Sequence, residues 1–117
     1  MHATIVSTYP PRACGLATFS RDQRAGLLAA GHDASIVSVV HTPAGGARAP
    51  EVVYEIRQHE RADYASAAER IAASGTDVVV VQHEFGIFGG NEGLYVLDLM
   101  DAVPQPVVSI LHTVLPR

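Results

Sequence analysis

The feature that most constrains the fold is a series of five short runs of apolar, mostly β-branched residues. Each run is apolar almost continuously, instead of at every second position. Such continuity is typical of strands that other elements cover on both faces, as in a parallel sheet. The predicted strands are Ala3–Thr8, Ala34–Val40, Val52–Ile56, Asp77–His83 and Pro106–His112. Helical patterns separate most of these runs, so the sequence predicts an α/β fold.

Three segments have apolar residues at helical spacing. The predicted helices are Leu16–Ala30, Arg61–Ser74 and Gly93–Ala102. The first two stop at Gly31 and Gly75, and glycine is common just after a helix because it adopts the left-handed conformation. The third ends before Pro104. The segment His41–Pro50 has two glycines, two prolines and no periodicity, so a mobile loop is expected there.

The element order β-α-β-β-α-β-α-β is close to half of a doubly wound sheet. Right-handed crossovers predict a three-layer, Rossmann-like sandwich with a mainly parallel sheet in the order 3-2-1-4-5. The strands Ala3–Thr8 and Asp77–His83 are then neighbours that flank the switch point. This brings the loops Tyr9–Gly15 and His83–Gly90 together, with His112 one strand further along. Ligands of open α/β sheets bind at this edge, so we expect the functional residues there.

Composition limits the class of protein. The 117 residues are enough for one domain with a buried core. A net charge of −4, with eight arginines and no lysine, argues against a nucleic-acid partner but not against a small phosphorylated ligand. The single cysteine, Cys14, excludes an internal disulfide. No apolar run reaches the roughly 18 residues that span a bilayer, and no signal-peptide pattern is present, so a cytoplasmic protein is expected.

The loop after the first strand, Tyr9–Gly15, carries two candidate anion-binding residues. Gly15 stands where a helix opens, and a glycine there lets a ligand approach the backbone N–H groups. Arg12 could add a charge-assisted contact to phosphate. An ordinary strand-to-helix turn that needs glycine for its geometry is the alternative, because the loop has neither a G-x-G-x-x-G nor a Walker pattern.

The loop after the fourth strand has an unusual concentration of polar and glycine residues. His83 and Glu84 leave the strand together and are candidates for binding polar groups. Gly89 and Gly90 would give backbone access or mobility. In the alternative interpretation, Glu84 pairs with an arginine, and Phe85 and Phe88 close the core.

His112 ends the last strand, where an imidazole could bind a sugar hydroxyl or a phosphate, or exchange a proton near neutral pH. A structural histidine is the alternative. His83, Glu84 and His112 could in principle converge on a metal, but no H-x-x-x-H or C-x-x-C spacing exists, and no metal is expected. Cys14 has no partner in the sequence that would mark it as a nucleophile.

Three motifs together resemble the N-terminal domain of bacterial family 4 glycosyltransferases, which are retaining, nucleotide-sugar-dependent enzymes of the GT-B fold. They are YPPRACGLATF at Tyr9–Phe19, VVQHEFGIFGG at Val80–Gly90, and LHTVLP at Leu111–Pro116. The likeness extends over essentially the whole chain. The first motif departs from the family, which often has two glycines where this chain has Cys14 and Gly15.

The resemblance implies roles for several residues. Gly15, with Arg12, would face the donor diphosphate, and His112 would be the catalytic residue beside the transferred sugar. The acceptor-binding residues would be His83, Glu84, Gly89 and Gly90. In this family a C-terminal domain binds most of the nucleotide sugar, and no cofactor or metal is required. The leaving phosphate helps to deprotonate the acceptor, so no dedicated protein base is needed.

The expected partners are therefore a nucleotide-sugar donor, an acceptor of unknown identity and a C-terminal donor-binding domain. Residues 1–117 lack such a domain, and no helix follows the last strand, so we expect a truncated and inactive fragment or an unusually short protein. Self-association through an exposed C-terminal surface is expected. The longer enzyme could also lie peripherally at the inner membrane face. The alternative function is a stand-alone flavodoxin-like or nucleotide-binding module; a Rossmann oxidoreductase is disfavoured because the G-x-G-x-x-G motif is missing.

Overall fold

The computed structural model describes residues 1–84 and 86–112. The strands are β1 (His2–Ser7), β2 (Asp33–Val40), β3 (Val52–Arg57), β4 (Val78–His83) and β5 (Val107–Leu111). The α-helices are α1 (Gly15–Ala29), α2 (Arg61–Ala72) and α3 (Val96–Ala102), and short 3-10 turns lie at Gly45–Ala47 and Asn91–Gly93. Phe85 and the loop predicted beyond His112 lie outside the described residues. Among the residues that are described, no helix has the length and apolarity needed to cross a membrane.

All five strands are parallel and lie in the order β3-β2-β1-β4-β5. The predicted fold class and strand order are therefore confirmed, and the sheet is consistent with a Rossmann-like fold. β1 pairs with β4, so the carboxyl ends of these two strands are neighbours. Their following loops leave the same edge, which is the arrangement that positions a site in sheets of this kind.

The core is divided between the two faces of the sheet. The larger cluster packs α2 and α3 against side chains such as Val6, Ile56 and Val81. The smaller cluster, which includes Ile5 and Ile36, lies on the face that α1 covers. Since neighbouring residues of a strand point to opposite faces, both faces require apolar side chains. This is the physical reason for the continuous apolar runs.

Two segments differ from the sequence-based prediction. The third helix begins at Val96 instead of Gly93. The preceding Asn91–Gly93 forms a 3-10 turn, in which Glu92 has a φ of +54° and Gly93 a φ of +75°, and positive φ angles interrupt a right-handed helix. The predicted loop before β3 contains the turn Gly45–Ala47. The carboxylate of Glu55 holds it by accepting hydrogen bonds from the backbone N–H groups of Ala44 and Gly45, at 2.9 and 3.3 Å.

Candidate functional site at the carboxyl edge of the sheet

Gly15 begins α1 directly after the loop that leaves β1. An added Cβ at Gly15 would meet no atom within 4 Å, so packing does not require glycine at this position. The first turn is capped by Cys14, whose Sγ accepts a hydrogen bond from the Ala17 N–H at 3.4 Å and lies 3.0 Å from Thr8 Oγ1. This capping role of Cys14 could not be predicted from the sequence pattern. The N-terminal end of α1 at Gly15, referred to below as its opening, is thus exposed and uncrowded, as a backbone anion site requires.

Arg12 reaches from the same loop across the end of β2. Its Nη1 donates to the Val39 carbonyl and its Nη2 to Gln58 Oε1, both at 3.2 Å. Both acceptors are neutral, and none of the described acidic side chains forms an ion pair with Arg12. The guanidinium is therefore held in place while its charge is left available to a ligand.

His112 lies on the face that α1 covers. Its Nε2 is 2.7 Å from Gln82 Oε1, and its ring packs edge-on against Phe19, with 4.9 Å between centroids. The backbone N–H of His112 donates to the His83 carbonyl at 3.0 Å. Phe19 follows Gly15 by four residues, which places both on one side of α1 about one turn apart. The structure therefore brings His112 and the opening of α1 to the same side of the sheet.

His83 is at the same edge but on the opposite face. Its ring centroid lies 6.0 Å from that of Phe88, which is buried with α2 and α3. In the β4–β5 register His83 is opposite Leu111, so His112 is one residue further and points the other way. The sequence predicts that Gly15, His83 and His112 all lie at this edge of the sheet, and the alternation along the strands places the His83 side chain on the face opposite to that of His112. Glu84 follows β4 and is half-buried.

Gly89 and Gly90 are required by the packing of their loop. A Cβ on Gly89 would meet the Gln58 carbonyl oxygen, and one on Gly90 would lie 2.5 Å from the ring of Tyr95. The Gly89 N–H donates to Tyr64 Oη at 2.9 Å, and that hydroxyl donates to the Gln58 carbonyl at 2.8 Å. Burial raises the pKa of Tyr64, so its hydroxyl stays protonated. These contacts explain both glycines, and their acceptor-binding role stays a prediction.

A pocket of about 300 Å³ opens on the α1 side of the sheet, between the loop after β1 and the loop before β3. Tyr9, Val40 and Val52 contribute apolar surface, Arg12 and Arg48 contribute positive charge, and the carboxylate of Glu55 also lines the pocket. The sequence did not predict this pocket, because it forms only when these two loops meet.

The side chain of Tyr9, which forms one wall of this pocket, stays uncharged. The Tyr9 hydroxyl donates to Glu51 Oε2 at 2.6 Å. Burial and this hydrogen bond raise the pKa of Tyr9 to about 12, and the same bond lowers the pKa of Glu51. Tyr9 is therefore a neutral phenol at physiological pH, and its ring forms a rigid wall.

Among the described residues, no group of three or more histidine, cysteine, aspartate or glutamate side chains could hold a metal ion. Comparisons with protein-family models, with curated proteins and with solved structures gave no match for this chain.

Proposed function

We propose that this chain is the acceptor-side, Rossmann-like domain of a retaining glycosyltransferase that uses a nucleotide-sugar donor. One observation carries the proposal: the pocket, the opening of α1 at Gly15 and the imidazole of His112 all lie on the α1 side of one sheet edge. This edge is where open α/β sheets bind ligands. The three motifs that resemble family 4 glycosyltransferases supply the class of reaction.

The opening of α1 is suited to the donor diphosphate. The first N–H groups of a helix have no partner within the helix, and the macrodipole places about half a positive charge there. Gly15 adds no side chain in front of these groups. His112 packs against Phe19, which lies about one helical turn along α1 from Gly15. His112 would then contact the sugar attached to the diphosphate.

The pocket beside this opening is suited to the acceptor. Its size fits a small molecule or the head of a larger one, and its apolar wall with two arginines suits a ring or polyol that carries an anionic group. Arg12 lines this pocket, which favours contact with the acceptor over the donor diphosphate. His83 and Glu84, on or near the other face, would act only on a part of the acceptor that extends past β4.

The role of this domain in the reaction is to bind and orient. Transfer with retention needs no protein base if the leaving phosphate takes the acceptor proton, as the resemblance implies. Holding the acceptor oxygen close to the anomeric carbon then supplies much of the rate enhancement. Because the second domain would bind most of the nucleotide, the isolated chain should bind nucleotide sugars weakly and transfer none.

Binding can be tested on the chain itself by NMR titration with UDP- and GDP-sugars. We expect the amide signals of Gly15 and its neighbours in α1 to shift, together with that of His112. The variant Gly15→Val should weaken binding, because a branched side chain would obstruct the backbone N–H groups. Gly26→Val is the matched control, since Gly26 lies in the same helix and an added Cβ also meets nothing within 4 Å. Equal loss of binding in both variants would contradict a site at Gly15.

Catalysis can be tested on the longest product of the reading frame that contains residues 1–117. Release of nucleoside diphosphate, together with a transferred sugar whose anomeric configuration is unchanged, would support the proposal. Inversion of the configuration would refute a retaining enzyme. Binding of free nucleotides without any transfer would instead support the nucleotide-binding module.

A further inference from the structure

A glutamine interrupts the apolar run of β4 at a fully buried position. Gln82 is 0% exposed, and its side chain lies on the face of the sheet that α1 covers. Burying an amide without hydrogen bonds is unfavourable, so such a residue needs partners. Gln82 has two. Its Nε2 donates to Gln23 Oε1 on α1, and its Oε1 faces His112 Nε2 beyond β5.

The directions of these two hydrogen bonds determine which nitrogen of the neutral His112 ring is protonated. In the structure Gln23 presents its Oε1 to Gln82, and because an amide oxygen can only accept, the NH₂ group of Gln82 faces it. Gln82 then presents its own oxygen to His112, 2.7 Å from Nε2. Nε2 must therefore be the donor, and in the neutral ring Nδ1 keeps its lone pair.

The ring of His112 is also fixed in orientation. Phe19 packs against it at an interplanar angle of 80°, and the backbone N–H of His112 is bonded to His83. Nδ1 makes no hydrogen bond to any other residue of the described ranges 1–84 and 86–112. His112 itself is exposed, so a ligand at the sheet edge can reach this nitrogen.

We propose that Gln82, oriented by Gln23, is a positioning residue that fixes the tautomer of His112. In this tautomer Nδ1 accepts a hydrogen bond from a hydroxyl group of the ligand. That the hydroxyl belongs to a sugar rests on the proposed function, whereas the tautomer does not. If Gln82 had a purely structural role, it would link α1 to β4 without any influence on the tautomer of His112.

The tautomer can be measured directly from two-bond ¹H–¹⁵N correlations of the imidazole in the ¹⁵N-labelled chain. The measurement is made at alkaline pH, where the imidazole signals no longer change as the pH is raised and the ring is therefore neutral. We expect the pattern of a ring with hydrogen on Nε2. Gln105→Met serves as the control, because Gln105 bonds only the Ile71 carbonyl among the described residues and does not contact His112.

Two substitutions at position 23 separate the positioning role from a structural one. Gln23→Glu leaves only an acceptor facing Gln82, so the hydrogen should stay on Nε2. Gln23→Lys leaves only a donor, which should turn the Gln82 amide around and move the hydrogen of His112 to Nδ1. The double variant Gln23→Lys with Gln82→Glu should restore hydrogen on Nε2, because a carboxylate at position 82 can only accept.

Hydrogen on Nδ1 in the natural chain would overturn the proposal. So would the same tautomer in the Gln23→Glu and Gln23→Lys variants, or a double variant that fails to reverse the effect of Gln23→Lys. If instead the natural chain binds no nucleotide sugar, the proposed function fails while the tautomer result stands. The two proposals can therefore fail separately.

Discussion

Replacing Gly89 by alanine tests whether the glycines of the loop after β4 serve packing or ligand access. The added Cβ would stand 2.9 Å from the Gln58 carbonyl carbon, still closer to the oxygen of that group, and 3.0 Å from a ring carbon of Tyr95. The nearest atoms belong to the backbone, which cannot rotate away as the end of a side chain can. Either the loop or the end of β3 must therefore move.

The cost can be estimated from the contacts that this movement would disturb. Overpacking in a filled interior costs about 1–3 kcal/mol. The bonds from the Gly89 N–H to Tyr64 and from Tyr64 to the Gln58 carbonyl would lengthen, and each contributes about 1 kcal/mol. We expect Gly89→Ala to lower the free energy of unfolding by about 3 kcal/mol, which is a fall in Tm of about 10 °C for a domain of this size.

Urea unfolding followed by circular dichroism would measure this change. The matched controls are Gly15→Ala, where an added Cβ meets nothing and stability should stay within about 0.5 kcal/mol, and Gly26→Ala, which should gain up to about 1 kcal/mol of helix propensity. A Gly89→Ala variant within about 0.5 kcal/mol of the natural chain would refute the packing argument and favour a role in ligand access.

Three further predictions concern catalysis, pH dependence and association. In the proposed glycosyltransferase, His112→Ala should lower turnover about tenfold or more, and by a larger factor than it raises the acceptor KM, as steady-state kinetics would reveal. Burial and the hydrogen bond to Glu51 raise the pKa of Tyr9 from its ordinary value of 10.0 to about 12, so its contribution to stability is complete below pH 10 and should be lost between pH 10 and 12. Urea unfolding across this range should show the loss, and Tyr9→Phe should abolish this pH dependence. Val108 and Leu111 are 49% and 59% exposed on the outer strand β5, so light scattering should detect self-association that Val108→Lys reduces and Val53→Lys, on the other outer strand, does not.

The architecture followed from the sequence because its causes are local. Continuous apolar runs require strands covered on both faces, and the right-handed crossover rule leaves few strand orders for such a series. The order β3-β2-β1-β4-β5 and the carboxyl-edge position of Gly15 and His112 could therefore be predicted. The start of α3 could not, because the positive φ angles of Glu92 and Gly93 depend on how their turn packs in the folded chain.

The composition of the candidate site was decided by the tertiary structure. His83 and His112 look equivalent in the sequence, since each closes an apolar run. The register that pairs His83 with Leu111 sends the two imidazoles to opposite faces, and a shift of one residue would reverse this. The contacts among Gln23, Gln82 and His112 join residues up to 89 positions apart, from α1, β4 and the end of β5. Such contacts form only when the strands are paired and the helix packs on the sheet. A local sequence pattern therefore cannot predict which distant side chain a buried amide will contact.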